Sequence, residues 1–325
     1  MLGVRRGGNF FDGVYRYGLI AVILLAAACS TPSVRPPPEP LSPRAVAPEL
    51  TAVGFFPQTG FQCGPAALAT LLTHRGVNVN PDQLSDQVYL PKRYGSLQIE
   101  LLAASRRYQK IPYLVDGFDD LVHQVSEENP VLVLQGVRNW LVPGWHYAVV
   151  VGFDSVQRQV ILRSGTEKRR VVSQKHFANT WHKGNHWGFV VLSPGVLPAA
   201  PDAERYLGAV IDAESQLSTN QSIKAYRAAV ALWPENIAAL FGLGNLQYQG
   251  GQLEAAKLSW QGVLQRRNNH AGAANNLAEL LAEKGAIQQA IDLLEKTLSG
   301  SLAPESLRPI LIETRQKLRQ QLLAI

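Results

Sequence analysis

Two short stretches hold the side chains best suited to covalent chemistry. FQCGPAALATLL, residues 61–72, carries Cys63, one of only two cysteines among 325 residues. GWHYAVVVGFD, residues 144–154, carries His146 at the head of an apolar run. A cysteine attacks carbon as its thiolate, and a helix N-terminus favours that charge through unpaired N–H groups and the helix dipole. Gly64 permits close backbone approach, and Pro65 suits a first helical turn where no N–H is needed. The position therefore predicts an activated thiol. A lone cysteine before an apolar helix is more often a small core residue, and it is the pairing with His146 that favours catalysis. An imidazole at a sheet edge, facing a helix packed on that sheet, can take the thiol proton.

The other cysteine has a different setting. Arg5, Arg6 and Arg16 precede an apolar run from Gly18 to Ala28, which ends in LAAAC at Cys29. Charged region, short apolar region and small residues form the order of a secretion signal, and the run is too short to span a bilayer permanently. The LAAAC end resembles a bacterial lipobox, with Ala26 where a larger aliphatic residue is usual, so residues 1–28 are expected to be a signal peptide and Cys29 a lipidated residue. Ser30, by resemblance to bacterial lipoproteins, favours the outer membrane and the periplasmic side. Plain secretion into the periplasm is the alternative. With Cys29 acylated, Cys63 has no disulfide partner, and an unpaired thiol in an oxidising compartment implies a use.

The elements that must position these residues follow from composition. Seven prolines within residues 30–50 favour extended geometry, so residues 29–50 are expected to be a tether reaching up to roughly 60 Å. Residues 51–195 are expected to form an α+β domain: helices over 66–75, 81–88 and 97–108, then strands over 112–115, 131–135, 146–153, 159–163 and 188–192. From 203 to 325 the composition shifts to Ala, Leu, Gln and Glu, and a period of 34 emerges: Leu243 with Leu277, Gly251 with Gly285, Ala256 with Ala290, Leu264 with Leu298. This resembles a tetratricopeptide repeat, with residues 307–323 as a terminal capping helix and Pro309 in its first turn.

A cysteine on a helix start and a histidine on a strand is the layout of papain-like thiol peptidases. QTGFQCGPAALATLL and HYAVVVGFD together resemble the bacteriocin-processing, double-glycine-leader cysteine peptidase family, in its stand-alone exported form with tetratricopeptide repeats. The resemblance implies a papain-like fold over about 55–192, Cys63 as nucleophile, His146 as general base and no metal or other cofactor. It implies that Gln58, five residues before the cysteine rather than six, donates to the oxyanion. The family's aspartate falls on Ser164 in ILRSG. A hairpin turning near Ser155 and Val156 brings Ser164 beside His146 and leaves Asp154 about 26 Å away at 3.3 Å per residue. A serine can orient the imidazole but brings no negative charge.

These readings converge on an exported, membrane-tethered cysteine peptidase that hydrolyses peptide bonds, with a repeat domain recruiting a protein or peptide. The alternative is an inactive, peptidase-like adaptor; a transamidase using the same thiol is a third reading. His182 and His186 in WHKGNHW suit aromatic packing better than a metal site, because Gly184 and the tryptophans make a helix doubtful there. Trp140 and Trp145 suit either a cleft or a core. Asn275 and Asn276 suit a solvated face better than a peptide clamp. The formal charge is +6; three arginines against one aspartate put +2 of it in the first 28 residues, leaving +4. With no basic stripe interleaved with aromatics, nucleic-acid binding is not expected.

Overall fold

Valine, isoleucine and aromatic residues dominate the middle of the chain, and they pair into one antiparallel sheet. In the computed structural model, the described residues are 47–58, 62–93, 95–138, 143–299 and 307–324. The leader, Cys29 and Trp140 lie outside them. Among the described residues, no helix is long and apolar enough to cross a membrane.

The first helix, α1 (Cys63–His74), is followed by α2 (Pro81–Val88), a two-stranded ribbon of β1 (Tyr89–Leu90) and β2 (Gly95–Ser96), and α3 (Gln98–Arg107). The main sheet holds β3 (Ile111–Leu114), β4 (Val131–Arg138), β5 (Pro143–Asp154), β6 (Gln159–Ser164), β7 (Glu167–Ser173) and β8 (Gly188–Leu192), in the order β3-β8-β4-β5-β6-β7. Two further helices, α4 (Gly117–Ser126) and α5 (Gln174–Lys183), complete this part.

Side-chain alternation divides the sheet into two buried faces. Tyr147, Val149 and Val151 of β5 face α1 and its Leu68, Leu71 and Leu72. Ala148 and Val150 face the opposite way, towards Phe118 of α4 and Phe177 and Trp181 of α5. Helices thus cover both sides, and α1 is buried nearly all round.

Five strands and helices of the α/β part were not anticipated: β1, β2, α4, β7 and α5. The solvent-side strand β7, EKRRVVS, is mostly charged and exposed, so it lacks the apolar alternation that marks a strand. α4 and α5 are short and mixed in polarity; α5 runs to Lys183 and is closed by Gly184, contrary to the expectation of no helix there. The folded part also starts before residue 51. Ala47 bridges Phe153, Leu50 N–H donates to the Val151 carbonyl at 2.8 Å, and Glu49 receives Arg163 at 2.9 Å and Arg169 at 2.7 Å. The last four residues of the expected tether are therefore part of the domain.

The repeat region comprises α6 (Ala203–Ala213), α7 (Thr219–Leu232), α8 (Ile237–Gln249), α9 (Leu253–Arg266), α10 (Ala271–Glu283), α11 (Ile287–Ser299) and α12 (Arg308–Leu323). The period of 34 is visible in the backbone. Gly251 and Gly285 both take the left-handed conformation, φ 72° and 82°, that turns one helix into the next. Ala256 and Ala290 are each fully buried where those helices touch.

The change of architecture at residue 203 is not a gap in packing. The described residues fall within one compact unit. Tyr113, Phe118 and Leu192 share a core with Tyr206, Val210 and Tyr226 of α6 and α7. Arg205 joins Asp120 at 2.8 Å and lies 5.0 Å from the centre of the Tyr113 ring. Truncating Tyr206 to alanine should cost about 3–5 kcal/mol, as for other large buried aromatics. Chemical denaturation followed by circular dichroism and tryptophan fluorescence should show sheet and repeats melting in one shared transition; two separate transitions would contradict the common core.

Candidate functional site

Local sequence explains how α1 presents Cys63. Residues 66–72 are Ala, Leu and Thr, mostly strong helix formers, and the first helical bond runs from Ala66 N–H to the Gln62 carbonyl at 3.0 Å. Pro65 falls in the first turn, where its missing N–H costs nothing. Gly64 is required by contact as well: a Cβ there would come within 2.5 Å of Ser96 Oγ and 2.7 Å of its Cβ. The β2 strand thus lies against the helix start, and only glycine lets it approach.

The sulfur of Cys63 is partly buried, and the nearby backbone amides of Tyr147, Gly64 and Cys63 itself favour its anionic form. The first of these amides joins Tyr147 to His146, so the nucleophile candidate lies near the peptide link adjoining the base candidate. Tyr147 seals the same corner: its hydroxyl donates to the Ser96 carbonyl at 3.0 Å. Burial, then the nearby Cys63, push its phenol pKa well up.

Gln58 is held across the ends of two strands. Its N–H donates to the Gly165 carbonyl at 2.9 Å, and its Oε1 accepts from Gly165 N–H at 3.1 Å. Its Nε2 makes only a long 3.5 Å contact with the Tyr147 carbonyl, beside the amide that Cys63 uses. Ser164 is buried, and its Oγ lies 2.9 Å from His146 Nε2. Cys63 packs on the α1 face of the sheet with Tyr147, and Gln58 lies beside Tyr147 at the strand end. His146 and Ser164 are instead directed to the other face, beside Gln135 and Thr180, because alternation along β5 turns neighbouring side chains opposite ways; the expected facing of the imidazole onto α1 is not what the strand provides. Asp154 is at the far end of β5, where its side chain accepts from Gln157 N–H in the turn.

The electrostatics differ from the expected activated thiol. Burial pushes the Cys63 thiol pKa up and outweighs the three amides. His146 is moved the other way: burial first, then the Arg170 charge, hold its imidazole below the ordinary histidine value. Neutral thiol and neutral imidazole are thus favoured over an ion pair near pH 7, and Ser164 adds no counter-charge.

Other residues singled out in the sequence take structural places. His182 and His186 rings lie 5.1 Å apart, and His186 meets Trp181 edge-on at 5.1 Å. Among the described residues, no group of His, Cys, Asp and Glu is arranged for a metal ion. Trp145 is 61% exposed beside His146. Asn275 Oδ1 accepts from Thr314 of α12 at 2.8 Å and so secures the cap. Asn276 instead donates to Asn245 at 2.9 Å, and both line a cavity with Tyr248, Gln249 and Trp260. Asn245 and Arg170 carried no sequence signal: each is an ordinary polar residue until the fold places it.

The α/β part, with a cysteine on its central helix and a histidine on its sheet, is papain-like in class. Residues 50–186 match the model of the Peptidase_C39 like family. Solved structures similar to the chain include a putative C39-like peptidase from Bacillus anthracis, at 17% identity, covering 44% of this chain and 96% of that one, with a TM-score of 0.39. The peptidase domain of Streptococcus ComA, a bi-functional ABC transporter, shows 18% identity, 43% and 98% coverage, and a TM-score of 0.35. The TPR2B domain of yeast Sti1, in its pHsp70 complex, shows 14% identity, 37% and 97% coverage, and a TM-score of 0.34. Comparison with curated proteins gives no match. The chain is thus a peptidase-like protein in which a C39-type domain is followed by tetratricopeptide-like helices.

The two pKa displacements set a pH dependence. Since the thiol pKa is raised, Cys63 alkylation by iodoacetamide, measured in a Cys29→Ser background, should keep rising between about pH 6 and about pH 10. A plateau reached below about pH 7 would instead indicate a thiolate formed in advance.

Proposed function

We propose that this protein is an exported, membrane-tethered cysteine peptidase in which Cys63 attacks the substrate carbonyl and His146 takes the thiol proton. The observation that carries this reading is the seat of Cys63 at the α1 start beside the Tyr147 amide, within a stretch that matches the Peptidase_C39 like family. His146 then returns the proton to the leaving amine, and water, deprotonated by the same imidazole, hydrolyses the thioester. Gln58 Nε2, held only by a long 3.5 Å contact to the Tyr147 carbonyl, and the Cys63 N–H supply donors to the developing oxyanion. Ser164 fixes the imidazole through Nε2 and is a positioning residue. The lipid anchor on Cys29 and the outer-membrane, periplasm-facing location belong to the same reading and rest on the leader sequence.

The repeats recruit the protein or peptide to be cut. Their cavity of Asn245, Asn276, Tyr248 and Gln249 offers amides and a phenol suited to peptide backbone. An Asn245→Ala/Asn276→Ala variant should raise KM for a protein substrate and leave cleavage of a short peptide unchanged.

The neutral thiol–imidazole pair and Ser164 also favour a second reading, a peptidase-like adaptor. Loss of a carboxylate partner to histidine costs on the order of 10⁴ in serine peptidases. Two variants separate the readings. Cys63→Ala should abolish peptide hydrolysis and leave the fold intact. Ser164→Asp should raise kcat/KM at neutral pH by about tenfold or more and move the profile towards acid, because a carboxylate raises the imidazole pKa. Hydrolysis that is absent in wild type and in Ser164→Asp leaves the adaptor.

A further inference from the structure

Behind His146, on the sheet face away from α1, a small cavity lies between the strands and α5. It is bounded by Gln135 of β4, His146 of β5, Ser164 of β6, Arg170 of β7, and His176 and Thr180 of α5, with aliphatic side chains filling the rest of the wall. Its volume is about 30 Å³. One water-sized occupant needs about 10–15 Å³, so a single small ion fits and a peptide does not.

The lining has a consistent chemistry. It holds one permanent cation, two imidazoles, two hydroxyls and an amide, and no carboxylate. The nearest carboxylate partner of Arg170 is Glu167, outside the wall, whose Oε1 is 3.8 Å from the guanidinium, beyond hydrogen-bond distance. Gln135 spends one amide hydrogen on Thr180 Oγ1 at 2.7 Å and retains a second. Thr180 Oγ1 also lies 3.1 Å and 2.9 Å from the carbonyls of His176 and Phe177, so its proton is directed to the helix backbone. Ser164 lies against His146 Nε2; when that nitrogen is protonated and donates, the serine proton is released for another acceptor. The donors still available therefore come from Arg170, Gln135, Ser164 and the imidazoles. Arg170 and His176 are exposed at the cavity's outer side, while Gln135, Ser164 and Thr180 are buried at its inner side. A partly enclosed site rich in donors and positive charge is favourable for an anion and unfavourable for an imidazolium left alone.

We propose that this cavity binds a small monovalent anion of halide or formate size, held by Arg170 against His146, which supplies the negative charge that Ser164 lacks. The proposal rests on the reading of His146 as the base only for its catalytic consequence. With the anion bound, an imidazolium formed during thiol deprotonation has a counter-ion on the side opposite Cys63, and Arg170 changes from an opponent of that charge to the holder of its partner.

The test uses full-length Cys63→Ala protein, so that binding is read without turnover. Sodium chloride and sodium formate are titrated against sodium gluconate at equal ionic strength, and the His146 ring titration is followed by NMR, with its signal assigned by loss in His146→Gln. A saturable rise in the His146 midpoint with chloride or formate, absent with gluconate, is expected. Arg170→Gln should weaken that response by about tenfold or more. Ser164→Asp should remove it, with the midpoint already elevated, and this second variant keeps the test open if Arg170→Gln misfolds. An equal response to gluconate, or a full response in Arg170→Gln, overturns the proposal. Its failure is separable from that of the peptidase reading. An anion response without thiol-dependent hydrolysis by wild type sinks only the peptidase; hydrolysis without an anion response sinks only the site.

Discussion

The seating of the α1 N-terminus on the end of β5 is the constraint on which the rest of the site depends. The Cys63 sulfur lies near the Tyr147 amide because the helix start, the strand end and the β2 strand all meet. Gly64 makes that approach sterically possible, and the Tyr147 hydroxyl secures β2 from the strand side. The same closeness that assembles the site also dries it. Burial raises the thiol and lowers the imidazole, so proximity and charge activation pull in opposite directions. A carboxylate at position 164 would reconcile them; a serine does not.

Support for this corner extends beyond the α/β part. The β3 edge would present Tyr113 to solvent if the chain ended after β8, yet α6 covers that residue, and Arg205 binds both Asp120 and the Tyr113 ring. The first repeat helices are thus part of the wall of the domain, while the later ones stack outward from them. That division gives the repeats a rigid root and leaves their cavity around Asn245 and Asn276 remote from the sheet.

Much of this was legible in the sequence. The run from Cys63 to Gly76 announces a helix with a proline in its first turn and a glycine after its end, and the β5–β6 hairpin length alone brings Ser164 to His146. The period of 34 carries the helical layers. What escaped was set by tertiary contact. β7 is an edge strand held by its ladder to β6 and by Arg169–Glu49, so its own residues need not alternate. α5 is a polar-rich helix whose Phe177 and Trp181 find their reason only against the sheet. The direction of the thiol shift could not be read either, because helix-end polarity is local whereas desolvation comes from Tyr147 and β2, distant in sequence. Arg170 acquired meaning in the same way, by facing His146 across two strands.

The clamp of Glu49 on Arg163 and Arg169 has a mechanical consequence. The backbone joins the sheet beside Phe153, seven residues and about 23 Å along β5 from His146. Tension applied to the segment preceding Ala47 is therefore delivered to the rear of the strand and resisted by a doubly bridged carboxylate before it reaches the cleft.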